Sequence, residues 1–364
     1  MKVLLIFSQI RPLLLSAALV FVPVMNDADV AFASKAAEYM DAQVKMNRFT
    51  GSVLVAHDGK VLFSRGYGAA RVELGTLNGL STRFRVGSIG HQFTAMAVLA
   101  LAEQGKLDLE DPVCKYIPEC PHAWNEIKIV HLLTHTSGLS DLSVADKTAA
   151  ARWDLLKTRQ LEFKPGQRVM FSNLGYEILT SVIEKVSGGS HAKFLSEHIF
   201  DPLGMRDTGY FDEKADISSY ADGYRQDVST IAIVNAVRAS GTVPRSADLY
   251  STVEDLYRWD RALFDGKLVS RESIERMSAP YRDGYGFAWK VLREFQRRAL
   301  VYGGRDDGFS TSIRRYPDNN AFVVVLSNLE NADADKISHD LGGLVLGPPP
   351  REMRRTPGTP HPIR

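Results

Sequence analysis

Phe84-Arg85-Val86-Gly87-Ser88-Ile89-Gly90-His91-Gln92-Phe93-Thr94-Ala95 is the stretch of this 364-residue chain on which the fold turns. From Gly87 to Gly105 the apolar residues recur at Phe93, Ala97, Leu101 and their neighbours, and Gly105 suits the position just past a helix end. The spacing predicts a long buried helix. Ser88 stands at its start, where unpaired backbone N–H groups and the helix dipole favour a developing negative charge. A nucleophile fits there, although a serine in that position usually just caps the helix. His91 lies one turn on, on the same face, placed to approach the Ser88 hydroxyl as a base.

Upstream, Ser52 to His57 and Lys60 to Gly66 are β-rich runs joined by Asp58-Gly59, a strong hairpin signal. Downstream, helical patterns run through Trp153 to Thr158, Leu174 to Val186, His191 to Phe200 and Glu254 to Phe264. Strand patterns return at Gly286 to Leu292, Ser310 to Tyr316 and Ala321 to Ser327, the last two joined by Pro317-Asp318-Asn319-Asn320, and a helix from about Asp333 to Leu346 closes the pattern. Strands near both ends with helices between them predict an α+β fold: one antiparallel sheet from distant segments, with a mainly helical lobe inserted at about 105–250.

The bulk properties narrow the function. With 45% apolar and 24% charged residues, the chain can bury a large core. Lys+Arg total 44 against 43 Asp+Glu, so bulk charge selects neither nucleic acid nor an anionic membrane. Lys2 and Arg11 precede an apolar run from Leu13 to Val24, and Ala31-Phe32-Ala33 fits a signal-peptide cut near Ser34. Export is expected, with 1–33 as leader, 34–347 as the domain and 348–364 as a disordered Pro/Arg-rich tail; an uncleaved leader would be an anchor. No later stretch approaches the about 20 apolar residues a spanning helix needs. Cys114 and Cys120 are close enough in sequence to pair in an oxidising compartment, or stay as two buried thiols. His131 and His135 share the spacing of a zinc-protease pair, but His-Leu-Leu-Thr-His lacks the glutamate, so both are read as structural and no metal or cofactor is expected.

The opening stretch, followed by Glu103-Gln104-Gly105-Lys106-Leu107 and Asp111-Pro112-Val113, resembles the nucleophile helix of the beta-lactamase-related serine hydrolases, which include class C beta-lactamases, DD-peptidases and esterases. The resemblance continues through Leu132-Leu133-Thr134-His135-Thr136-Ser137-Gly138-Leu139, Pro165-Gly166, Phe171-Ser172-Asn173-Leu174-Gly175-Tyr176, Ser251-Thr252-Val253-Glu254-Asp255-Leu256, Gly284-Tyr285-Gly286-Phe287 and Gly308-Phe309. It implies the beta-lactamase/transpeptidase-like fold and an acyl-serine mechanism. That mechanism uses a serine with a lysine one turn later, a tyrosine opening a Tyr-x-Asn motif, and a lysine or histidine opening a strand motif that ends in glycine.

Here Ser88 matches, but His91 stands at the lysine position, Phe171 at the tyrosine and Tyr302 at the head of Tyr302-Gly303-Gly304; Asn173 keeps its place. Phe171 cannot move a proton. His91 titrates near neutrality when unperturbed, and Tyr302 acts as a base only beside a cation, a role the charged form of His91 would fill. The Ser88 and Arg305 backbone N–H groups are expected to form the oxyanion hole. Phe171, Asn173, Gly303, Gly304 and Arg305 are the expected binding residues. Arg305, Asp306 and Asp307 either read a charged ligand group or form a solvated turn.

Three functional readings follow. In the first, the cleft survives and binds peptide or acyl ligands with little or no turnover. In the second, a Ser88–His91 dyad assisted by Tyr302 hydrolyses an ester, an amide or a D-amino-acid peptide. The third is a scaffold that assembles through the helical lobe or the basic tail. Substrate identity and oligomeric state are not written in these motifs.

Overall fold

The computed structural model describes residues 26–141, 158, 160–210, 219–226, 233–235 and 249–348. The apolar run Leu13–Val24, nearly all of the Trp153–Thr158 helix and the tail after Pro348 lie outside the described residues.

Strands β1 (Gly51–His57) and β2 (Lys60–Tyr67) form the expected hairpin, with Asp58 at φ 50° and Gly59 at φ 76°. Two consecutive positive φ values are what a two-residue turn needs to match strand twist, and Asp-Gly tolerates both. Four C-terminal strands, β3 (Lys290–Glu294), β4 (Arg297–Asp306), β5 (Phe309–Tyr316) and β6 (Ala321–Ser327), complete a six-stranded sheet in the order β3-β4-β5-β6-β1-β2. Each neighbouring pair is antiparallel, and β1 pairs with β6 in the register Gly51↔Ser327 to His57↔Ala321.

Both faces of the sheet are covered, so β1 and β6 read as unbroken apolar runs. Alternation assigns Leu54, Ala56, Val324 and Leu326 to one core and Val53, Val55, Val323 and Val325 to the other. The first core packs against the predicted helix, a 3-10 turn Gly87–Ile89 leading into α2 (Gly90–Glu103); its end falls before Gly105, at φ 68°. The second packs against α1 (Asp27–Lys45) and the C-terminal α6 (Ala334–Leu346).

Helix α1 covers the last residues of the expected leader. Asn26 caps it by accepting from the Asp29 N–H, Asp29 pairs with Lys60 at 2.5 Å, and Phe32, Ala36 and Met40 are buried on the sheet. A cut near Ser34 would remove the cap, the ion pair and Phe32. Ala31, Phe32 and Ala33, the residues expected at the processing site, lie within this helix.

The lobe contains α3 (Asn173–Ser187), capped by Ser172 and ended by Gly188 at φ 74°, as the sequence predicts. His191–Phe200 is helical as expected, but its second half, Ser196–Phe200, is a π-turn. Helices α4 (Val253–Phe264, capped by Thr252) and α5 (Arg271–Ser278) lead back to the sheet; α5 had no clear sequence signal. The strand expected from Gly286 begins only at Lys290, because Gly284 (φ 79°) and Ala288 (φ 52°) turn the chain first. Cys114 and Cys120 form a disulfide with Cα atoms 5.2 Å apart, which settles the alternative left open by their spacing. Among the described residues, no helix is long and apolar enough to span a membrane, and no His/Cys/Asp/Glu group is arranged to hold a metal.

Candidate active site

Ser88 sits in the turn that starts α2, 8% exposed, against strand β4. The approach is backbone on backbone. An ideal Cβ on Gly304 would stand 2.2 Å from the Val86 carbonyl oxygen and 2.8 Å from the Ser88 nitrogen. One on Gly87, which is held at φ 55°, would stand 3.1 Å from the Arg305 nitrogen. Glycine is therefore required at both positions. Thr311 on β5 locks the junction, its hydroxyl donating to the Val86 carbonyl at 2.9 Å. The Ser88 and Arg305 amides expected to hold an oxyanion thus lie on adjoining backbones.

His91 is fully buried on α2, with Tyr176 stacked on it at 4.0 Å and Phe171 at 5.8 Å between centroids. Its Nδ1 lies 3.1 Å from the Tyr302 hydroxyl, and the same hydroxyl lies 3.0 Å from His135 Nε2. The backbone fixes one of the two tautomers. The Ser172 backbone N–H donates to His135 Nδ1 at 3.2 Å, so that nitrogen is bare and Nε2 carries the proton. Nε2–H donates to Tyr302, whose hydroxyl also meets His91 Nδ1; which of these two carries the shared hydrogen depends on the His91 tautomer. His91 Nε2 is a buried atom with no hydrogen-bond partner among the described residues.

This chain of bonds is neutral throughout. Burial holds His91 well below its usual 6.5, helped by the nearby His135, and burial alone lowers His135 to about 4. Burial raises Tyr302 well above the ordinary phenol value, with Tyr176 and Tyr285 adding to it. The expectation that charged His91 would supply a cation for Tyr302 is thus corrected: desolvation keeps His91 uncharged. The expected Ser88–His91 contact is not made either. Among the described residues no hydrogen bond joins the two side chains, and His91 Nδ1 is occupied by Tyr302.

His135, read from sequence as structural, is the site residue that reading missed. It holds φ 55°, an uncommon conformation for a residue with a Cβ, and its ring stacks on Phe171 at 4.6 Å. His131 does remain structural, its Nδ1 accepting from the Lys128 N–H. Asp141 was also missed. Its carboxylate accepts from the Ser172 hydroxyl (3.0 Å), the Leu174 N–H (3.0 Å) and the Asn173 side-chain amide (2.9 Å) at the start of α3. The binding residue Asn173 is therefore present, with one amide hydrogen already committed.

Strand β4 presents Tyr302 and Gly304 to α2, while Gly303 and Arg305 alternate outward. The Arg305 guanidinium donates to the Glu330 carbonyl at 3.2 Å, Asp306 pairs with Arg85 at 2.7 Å, and Asp307 pairs with Arg225 at 3.7 Å. The turn expected here is tied down by these bonds rather than freely solvated.

A buried helix carrying a serine at its foot, set against a glycine strand of an antiparallel sheet, defines the acyl-serine hydrolase class of fold. The chain belongs to the beta-lactamase family, whose family model, described as Beta-lactamase, matches residues 32–344. It is 31% identical over 322 residues to penicillin-binding protein 4* of Bacillus subtilis (strain 168), covering 78% of this chain and 69% of that protein. Protein flp of Staphylococcus aureus (strain MW2) is 27% identical, over 81% of this chain and 62% of its own length. Among solved structures, the octameric penicillin-binding protein homologue from Pyrococcus abyssi superposes with a TM-score of 0.79 at 27% identity, over 88% of this chain and 78% of that one. A class C beta-lactamase gives 0.78 at 20% identity, over 88% and 98%. These likenesses bear out the α+β, beta-lactamase/transpeptidase-like fold read from the motifs.

Proposed function

We propose that this protein is an exported member of the family that keeps the cleft but has lost most or all turnover, and that it binds peptide or acyl ligands. One observation carries this reading: the three groups able to move a proton near Ser88 are bonded to one another in a buried chain that disfavours charge, and the reading has His91 hold its hydrogen on Nε2. An imidazole in that state has no free lone pair for the serine proton. Positioned acid-base help contributes about 10²- to 10⁴-fold, and its loss separates an enzyme from a receptor built on the same fold. The disulfide supports export, since such bonds persist in oxidising compartments, and a leader ending ahead of Asn26 is consistent with an intact α1.

The preserved meeting of Gly304 with the Ser88 amide favours a second reading, a slow acyl hydrolase that works through the oxyanion hole and Ser88. Ester and beta-lactam turnover separates the two when measured in wild type, Ser88→Ala, and the combined His91→Lys/Phe171→Tyr/Tyr302→His change. Turnover appearing only in the combined variant supports the disarmed cleft. Wild-type turnover that Ser88→Ala abolishes overturns it.

A further inference from the structure

The ligand-binding reading above leaves the ligand's chemistry open, and the walls of the cleft narrow it. One wall is aromatic. Phe171 is 40% exposed, stacks on His135 at 4.6 Å, and continues through Tyr176 onto His91, while Tyr285 meets His135 edge-on at 6.0 Å. The outermost ring of this stack is the partly exposed Phe171, onto which a further ring or flat apolar group can be added.

On the other wall, the described residues of strand β4 from Tyr302 to Gly304 offer no free side-chain donor. Tyr302 has its hydroxyl bonded to two imidazoles, and Gly303 and Gly304 contribute backbone alone. The cations nearby are turned elsewhere: Arg305 alternates to the outer side of β4 and donates to the Glu330 carbonyl, and Arg85 is paired with Asp306. The charge beside Phe171 is negative, because Asp141 is exposed and clasps Ser172, Asn173 and Leu174 at the foot of α3. A carboxylate entering this cleft meets Asp141 and no opposing cation among these groups, whereas a neutral carbonyl meets the Ser88 and Arg305 amides.

We propose that the cleft selects uncharged acyl ligands bearing an aromatic or flat apolar group, seated on the Phe171–His135 stack, and discriminates against ligands with a free carboxylate. Phe171 is then a specificity residue: the position that lost a phenol supplies a stacking surface. Asp141 sets the charge preference, and a like charge brought near it at the rim costs about tenfold in affinity.

The proposal rests on the binding reading and is tested apart from catalysis, by calorimetric titration of Ser88→Ala. The probes are N-phenylacetylglycine methylamide and N-phenylacetylglycine, which differ in one neutral or ionised end. The neutral amide is expected to bind about tenfold more tightly at pH 7. Phe171→Ala, at a partly exposed position where folding is retained, weakens the amide by about 3- to 10-fold. Asp141→Asn narrows the difference between the probes; its melting temperature is recorded alongside to show that α3 is still capped. Equal or tighter binding of the acid, indifference to Phe171→Ala, or no saturable binding of the amide each overturns the proposal. Turnover in the wild type would refute the disarmed cleft while leaving this ligand preference intact.

Discussion

Tyr302 joins two imidazoles through one hydroxyl, and each of its bonds satisfies a group that burial has cut off from water. Removing that oxygen in Tyr302→Phe strands His135 Nε2–H and His91 Nδ1 together. The expected cost is about 1–3 kcal/mol, read as a lower urea midpoint at unchanged slope. A variant as stable as wild type would mean that the two histidines are not held by the phenol. The disarmed reading predicts both tautomers: ¹⁵N spectra at pH 7 should show His91 and His135 both neutral and both protonated at Nε2. An Nδ1-protonated His91 would free the nitrogen a base needs and return the dyad to consideration. The sequence showed Ser88, His91 and Tyr302 as candidates because they occupy motif positions. It did not show that they are uncharged, since that depends on burial, nor His135, whose role comes from a left-handed backbone and a partner 167 residues away.

Elements carry this site because two of them touch without side chains between them. Strand β4 reaches the foot of α2 at Gly304 and Gly87, so Gly304→Ala forces a methyl against the Val86 carbonyl and pushes the strand off the helix. The expected destabilisation is about 1–3 kcal/mol, measured by chemical denaturation, with loss of any ligand binding at the Ser88 amide. Full stability in this variant would refute the close approach. At the lobe's entry the Cys114–Cys120 bridge closes a short loop, and replacing both cysteines by serine should lower stability by about 2 kcal/mol. Elements with strong local signals were legible: the Asp58-Gly59 hairpin, α3 between Ser172 and Gly188, and β6 over Ala321–Ser327. Others were not. Helix α1 has alanines and acidic residues that read equally well as a processing region, and its apolar face becomes visible only once the sheet beneath Phe32, Ala36 and Met40 exists. The start of β3 was misplaced because the positive φ at Ala288 belongs to a residue type that gives no warning of it.

On the scale of the whole molecule, the buried imidazoles make stability depend on pH. Unfolded, a histidine takes up its proton near 6.5; in the fold, burial delays this to about 4 for both His135 and His191. Between those values the unfolded chain binds more protons, so stability is fully present above about pH 6.5 and falls as the pH drops towards 4. The loss is about 3 kcal/mol for each imidazole, seen as a falling denaturation midpoint over that window. A flat profile from pH 7 to 4 would mean that water reaches these rings. The two-faced sheet was legible at this scale too, through the continuous apolar runs of β1 and β6, whereas the direction of the hydrogen-bond chain was not, because no local pattern encodes it. The proposed direction has one consequence: it leaves Ser88 at the foot of its helix without a base. Intact-mass measurement after incubation with a fluorophosphonate at pH 7, with Ser88→Ala alongside, tests this most directly. No adduct on Ser88 is predicted under conditions that label a catalytically competent relative; a stoichiometric adduct that Ser88→Ala abolishes would contradict it.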